Sequence, residues 1–346
     1  MINFRFHIIS LTAVFLAFAV GLVLGTTFLD DATERALNKQ LDNLDDDLRD
    51  ARHKNAELQS QLDRYAEEDE ALQLSLGERM LGGTLANDPV LVIAAQGLDG
   101  DPVERVVESL TTAGADYVGA WRLTDRLVLD DDNEKADLAT ALDITADGDV
   151  DVDVERLTRD LSGALATALF HAIHQSDAET DIGQGLVGSP TEPAEPTRIA
   201  ALHEQGFIDY QLPENSDSDV VLLPSSGLRV VVVTGEKGAV PSESVLLPTL
   251  TDLVSEGPAP VVVTAASATN DEDEETVDGV SRLISDVRDE GTLSERISTV
   301  DDLELVSGWL ATSLATQQAD PNAPKIGHYG LGPGAQELLP PVPATP

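Results

Sequence analysis

The sequence predicts an α/β protein in three stretches: an N-terminal transmembrane helix, a coiled-coil stalk, then a mostly parallel α/β domain. Three observations predict it. Ile8–Leu29 form one uncharged apolar run. Leu37–Leu76 carry an apolar seam whose spacing alternates four and three. Beyond residue 84, short Val-rich runs alternate with amphipathic stretches, the pattern of repeated β-α-β units.

The run Ile8–Leu29 (IISLTAVFLAFAVGLVLGTTFL) begins after Arg5 and stops at Asp30-Asp31. A helix of that length is roughly 33 Å long, enough to cross a bilayer core. A cleaved signal peptide has a shorter apolar core followed by a small-x-small site, and no Ala-x-Ala follows Gly25. The length therefore favours an anchor, with a cleaved signal as the alternative. The basic lead stays cytoplasmic and the acidic flank does not, so residues 30–346 are expected outside the membrane. Gly21 and Gly25 form a lone G-x-x-x-G, a weak helix-pairing signal.

In the stalk, one seam position reads Leu37, Leu44, Ala51, Leu58, Tyr65, Leu72 and its partner reads Leu41, Leu48, Asn55, Leu62, Asp69, Leu76. This is the coiled-coil repeat, sustained over about six heptads without Pro or Gly. Asn55 falls at an a position if the Leu37 series is d, which favours a parallel dimer. Such a rod would hold the downstream domain roughly 60 Å from the membrane.

Gly77, Gly82 and Gly83 end the stalk, and Asn87-Asp88-Pro89 resets the chain. Val90–Ala95 is a continuous apolar run, as in a strand buried on both faces. A turn comes next, Pro102 opens a helix that stops by Gly114, and Tyr117–Leu123 reads as the second strand. Helices are expected at Leu138–Leu142, Arg156–His174, Ser244–Ser255, near Val277–Arg288 and near Leu303–Thr316. Strands are expected at Asp219–Leu223, Leu228–Thr234 and Val261–Ala265. Val90–Leu123 and Arg229–Ala265 share one strand-helix-strand pattern, a hint of internal duplication. The reading gives an anchor at 1–30, a coiled coil at 31–83 and an extracytoplasmic α/β domain at 84–320, with a linker at 183–196. A Pro- and Gly-rich tail at 321–346 is expected to lie across the surface or stay partly disordered.

Composition narrows function. The chain carries 63 acidic against 21 basic residues, a net charge of −42, and repels nucleic acid. It has no cysteine, which removes disulfides, thiol catalysis and Cys-based metal sites. No Walker-type loop and no nucleophile elbow occurs. No nucleophile–base set is apparent, so no catalytic residues are assigned and the chain is read as a non-enzyme. Gly183–Gly188 spells G-x-G-x-x-G but follows no strand, and reads as linker. The turn after Val90–Ala95 could sit at the sheet's carboxyl edge, where α/β proteins bind ligands. His171 and His174, three apart on a helix, are the weak metal-ligand candidates, and an ordinary surface pair is the simpler reading. Asp147, Asp149, Asp151 and Asp153 lack the sharp-turn Gly of a calcium loop, since Val154 stands sixth. Asp271–Glu275 reads as a solvated loop.

The opening string MINFRFHIISLTAVFLAFAVGLVLG resembles the start of an actinobacterial copper transporter family. The run Gly327-His328-Tyr329-Gly330-Leu331-Gly332-Pro333-Gly334-Ala335, with Leu338-Leu339-Pro340 after it, is similar to that family's ending. The resemblance spans essentially the whole chain. It implies a cell-envelope protein of copper efflux and homeostasis with copper ions as cargo, placed at the outer membrane if the N-terminal segment is a cleaved signal. Copper sites favour Cys, Met and His, and this chain has no Cys, two Met and six His; no motif of the family supplies copper ligands to carry over residue by residue. One apolar helix cannot enclose an aqueous path, so a pore would require an oligomer assembled through Leu37–Leu76. A membrane tether presenting a protein- or wall-binding domain is the alternative function.

Overall fold

The computed structural model describes residues 6–23, 48–49, 52–56, 59–60, 81–95, 98, 102–144, 153–174, 196–214, 216–235, 242–266 and 281–341. Contacts divide the chain into two units, Met1–Glu68 and Asp69–Pro346. In the first, α1 (Phe6–Val23) is helical and apolar throughout, and none of it is buried against protein. Phe15, Leu16 and Phe18 are each about two-thirds exposed, which in water is the exposed apolar patch that marks a membrane or partner surface. Thr12 does not spoil that surface, because its hydroxyl donates to the Ile8 carbonyl at 2.7 Å. Residues 24–29 and most of the heptad stretch lie outside the described residues; the short pieces at 48–49, 52–56 and 59–60 are helical.

The second unit is built on a seven-stranded sheet. Its elements run β1 (Pro89–Ala95), α2 (Pro102–Thr112), β2 (Asp116–Leu123), α3 (Asp132–Ala141), α4 (Val154–Ile173), α5 (Thr197–Glu204), β3 (Ile208–Gln211), β4 (Arg229–Thr234), α6 (Leu247–Leu253), β5 (Val261–Ala265), α7 (Arg282–Asp289), α8 (Gly291–Ser294), β6 (Ser298–Val300), α9 (Val306–Gln318) and β7 (His328–Tyr329). The strand order is β3-β2-β1-β4-β5-β6-β7. Every neighbouring pair is parallel except β2 with the edge strand β3.

The apolar runs behave as buried parallel strands must. In β1, Leu91 and Ile93 enter one core with Val230, Val232, Val261 and Val263. Val90, Val92 and Ala94 enter a second core with Val231 and Val233 on the opposite face. The first face is covered by α3 to α7, where α4 packs along α6. The second is covered by α2 and α9. At the amino edge, Arg229 opens β4 almost fully buried, paired to Asp88 and donating from Nε to the Ala319 carbonyl at 3.1 Å.

The two similar β-α-β stretches leave the centre in opposite directions, β1 to β2 and β4 to β5, with α2 and α6 on opposite faces. Right-handed crossovers force that arrangement on any doubly wound sheet, so the shared pattern needs no duplication to explain it. Strand order reverses between β1 and β4, whose carboxyl ends lie side by side there. Most of residues 96–101 and all of 236–241 lie outside the described residues.

Several expectations change. Asp219–Leu223 is no strand; Ser218 ties this stretch into a turn, its hydroxyl donating to the Val220 carbonyl at 2.9 Å and accepting from the Val220 amide at 3.1 Å. The Ser244–Ser255 helix is entered through a single π-helical turn, Ser242–Leu246, before α6. The α/β body does not stop at residue 320: β7 extends the sheet, and Gln336 and Glu337 fold back on it. A Gly-rich spelling concealed this because only two residues, His328 and Tyr329, pair as strand.

Candidate functional site

The most developed polar cluster among the described residues lies where β6 and β7 end. It is assembled from α7, which buries Leu283, Ile284 and Val287 and so aims Arg288, in its last turn, across the ends of both strands. A cation suits a helix C-terminus. Arg288 donates from Nε to Thr299 Oγ1 at 2.8 Å, from Nη1 to Asp301 Oδ2 and to the Pro333 carbonyl at 2.8 Å each, and from Nη2 to the Tyr329 carbonyl at 3.0 Å. Only 4% of either side chain in the Arg288–Asp301 pair is exposed.

Asp301 is the hub on the other side. Its Oδ1 accepts the Leu331 amide at 2.7 Å, and both its oxygens accept the Gly332 amide at 3.2 Å. Asp302, in the left-handed region at φ 58°, accepts the Leu331 amide too, at 2.9 Å. Gly330, at φ 122°, passes so close to Asp301 that a Cβ would overlap the carboxylate. Burial and the bond shared with Asp302 push the Asp301 carboxyl above its usual range, against the pull of Arg288 and the Gly332 amide.

His328 completes the cluster. Its Nδ1 lies 2.9 Å from Thr299 Oγ1 and its Nε2 3.0 Å from the Ser294 carbonyl. A carbonyl only accepts, so Nε2 carries the proton and Nδ1 accepts from the Thr299 hydroxyl. Burial, then the Arg288 charge, hold the imidazole below its ordinary pKa, with the Ser294 bond opposing. Both ring nitrogens are occupied, so His328 offers no free base. An open cleft of about 420 Å³ adjoins it, lined among others by Ser285, Asp289, Glu295, His328, Pro333 and Gln336. Its rim is acidic and hydroxylic.

The residues singled out from sequence fare unevenly. His171 and His174 both lie at the end of α4, beside Phe170, with ring centroids at 6.4 and 4.5 Å from it. Among the described residues no third ligand joins them, and no group of three metal-binding side chains occurs. Asp153 caps α4 by accepting the Glu155 amide at 3.2 Å. Asp147, Asp149 and Asp151, the Gly183–Gly188 run and Asp271–Glu275 lie outside the described residues. Sequence reasoning missed Arg288 and Asp301, which sit in different elements with no motif joining them. The signal present was the Gly-dense GHYGLGPG run, whose glycines let backbone crowd against the Asp301 carboxylate and the aliphatic stem of Arg288.

Likeness to known proteins runs the whole length of the chain. A family model described as copper transport outer membrane protein, MctB, matches residues 1–340. Proteins named copper transporter MctB from Mycobacterium tuberculosis and Mycobacterium bovis are 26% identical to this chain over 365 residues, covering 98% of it and 99% of their own length. The match takes in both the N-terminal apolar helix and the Arg288–Asp301–His328 cluster, and the chain belongs to the MctB family of copper transport outer membrane proteins.

Proposed function

We propose that this chain is a single-pass envelope protein that keeps intracellular copper low, with copper ions as cargo. The observation that carries the reading is the family match over residues 1–340, together with relatives named as copper transporters. The apolar helix Phe6–Val23 supplies the membrane attachment. The heptads of Leu37–Leu76 supply the means of forming a dimer or larger oligomer, which a copper path would need because one helix encloses no channel. The division we favour is anchor 1–30, stalk 31–83 and an extracytoplasmic α/β domain from residue 84 onward, with a linker at 183–196 and the last strand of the sheet carried by the Pro- and Gly-rich segment that begins at 321. His171 and His174 remain the weak copper-ligand candidates; the chain is read as a carrier component, not an enzyme.

A deletion strain tests this. Loss of the gene should raise cell-associated copper and lower copper tolerance, and the full chain should restore both. Copper content and tolerance equal to the parent, with altered envelope shape or partner capture instead, would replace the transport reading by the tether.

A further inference from the structure

We propose that residues Gly327–Pro341 form a proton-released latch on the sheet, with His328 as its sensor. The segment closes over an otherwise open edge. The Thr299 amide donates to the Gly327 carbonyl at 3.1 Å and the Asp301 amide to the Tyr329 carbonyl at 3.1 Å, pairing β7 to β6. Arg288 grips the Tyr329 and Pro333 carbonyls, and Asp301 grips the Leu331 and Gly332 amides. Farther along, Leu339 packs on both cores that α9 enters, and Gln318 donates to the Pro341 carbonyl at 2.9 Å.

Hydrogen-bond direction in the cluster is fixed at both ends. Arg288 Nε can only donate and the Ser294 carbonyl can only accept, so the chain runs Arg288 to Thr299 to His328 to Ser294. That order fits the neutral ring alone. An added proton must sit on Nδ1, where it meets Thr299 Oγ1, which already accepts from Arg288 and would have to turn its own hydrogen elsewhere. It also sets a second cation beside Arg288, whose buried counter-ion Asp301 already takes three donors.

Further acids stand around the cluster on each packed element. Asp289 on α7 and Glu295 beyond α8 stand exposed on the cleft rim, Asp302 follows β6 half-buried, and Glu337 lies exposed on the strap itself. The rim acids act through solvent, where Coulomb terms are weak. Asp301 works in the opposite sense, since its raised carboxyl takes up a proton more readily when the latch is shut. The two are separable because His328 acts below the ordinary imidazole pKa of about 6.5, and its effect vanishes when it is replaced. While the shut latch holds the ring neutral, its opening constant rises by up to about tenfold for each pH unit below that value. Opening would bare the outer edge of β6, a row of unpaired backbone groups ready to accept another strand.

Hydrogen exchange of the full chain in detergent, at pH 7.5, 6.0 and 5.0 with labelling times scaled to intrinsic rates, tests the proposal. Protection of the Gly330–Glu337 amides should fall by up to about tenfold per unit below pH 6.5, while amides of β4 and β5 hold. In His328→Gln that pH dependence should disappear, whatever the basal protection. Unchanged protection, loss in step with β4 and β5, or a loss of protection with falling pH that persists in His328→Gln would each overturn it. Should the variant fail to fold, the wild-type His328 ring decides by carbon-13 NMR: a midpoint below 6.5 supports the latch, and one at or above 6.5 removes it.

Discussion

Arg288 and Asp301, in different elements, form an ion pair at 2.8 Å with 4% of each side chain exposed. Between them they also bind Thr299, Tyr329, Leu331, Gly332 and Pro333. Removing one partner strands a buried charge, so Arg288→Met should destabilise the domain by about 3–5 kcal/mol. Arg288→Met with Asp301→Leu should lose less than the two single losses added, since no lone charge remains. Denaturant unfolding of the full chain, read as a shift in midpoint at constant slope, checks both.

Gly330 and Gly334 predict a graded pair. At Gly330 the φ of 122° and the overlap with the Asp301 carboxylate act together. Alanine there should cost about 2–4 kcal/mol, beyond the cost of the strained backbone alone. Gly334 sits at φ 79°, and its new Cβ would meet Arg288 Cδ at 3.1 Å, a contact relieved by a shift of a few tenths of an ångström. Alanine there should cost about 1–2 kcal/mol. Equal losses at the two positions would contradict the crowding at Asp301.

Tyr117 gives an alkaline signature. Burial pushes its phenol up to about 12, with Arg122 pulling the other way. A folded pKa above the unfolded one makes its contribution present below about pH 10 and lost as pH rises toward 12. Absorbance titration at 295 nm should show a late-ionising tyrosine that is missing in Tyr117→Phe. If the variant keeps the full late phase, the assignment fails.

For the α4 histidines, the double variant His171→Ala, His174→Ala is expected to restore copper tolerance to a deletion strain as well as the parent chain does. The pair has no third ligand among the described residues, and two imidazoles alone make a weak site. Loss of complementation by the double variant, with the protein still present at the membrane, would return these residues to the copper path.

Legibility in the sequence tracked burial. β1, β4 and β5 were readable because strands covered on both faces are spelled almost wholly in apolar residues, as in Arg229–Thr234 (RVVVVT). The outer strands were not. β3 is IDYQ, β6 is the three residues STV, and β7 is His328-Tyr329 set among glycines; each is too short or too polar to show a period. Asp219–Leu223 misled for the converse reason, since its apolar residues look like a strand but serve to bury Val221 and Leu223 from a loop. The cluster around Asp301 is a tertiary construction: His328, Asp301 and Arg288 share no local spacing, and only the fold brings them together.

The central pairing of the sheet has a kinetic consequence. Val90 lies opposite Arg229, and β1 and β4 are separated by roughly 140 residues of chain. The middle of the domain therefore closes one of its longest loops, and little of the final core can form before β4 arrives. Folding should be slow, and a fragment ending after β2 should aggregate instead of keeping its two strands as a folded sheet.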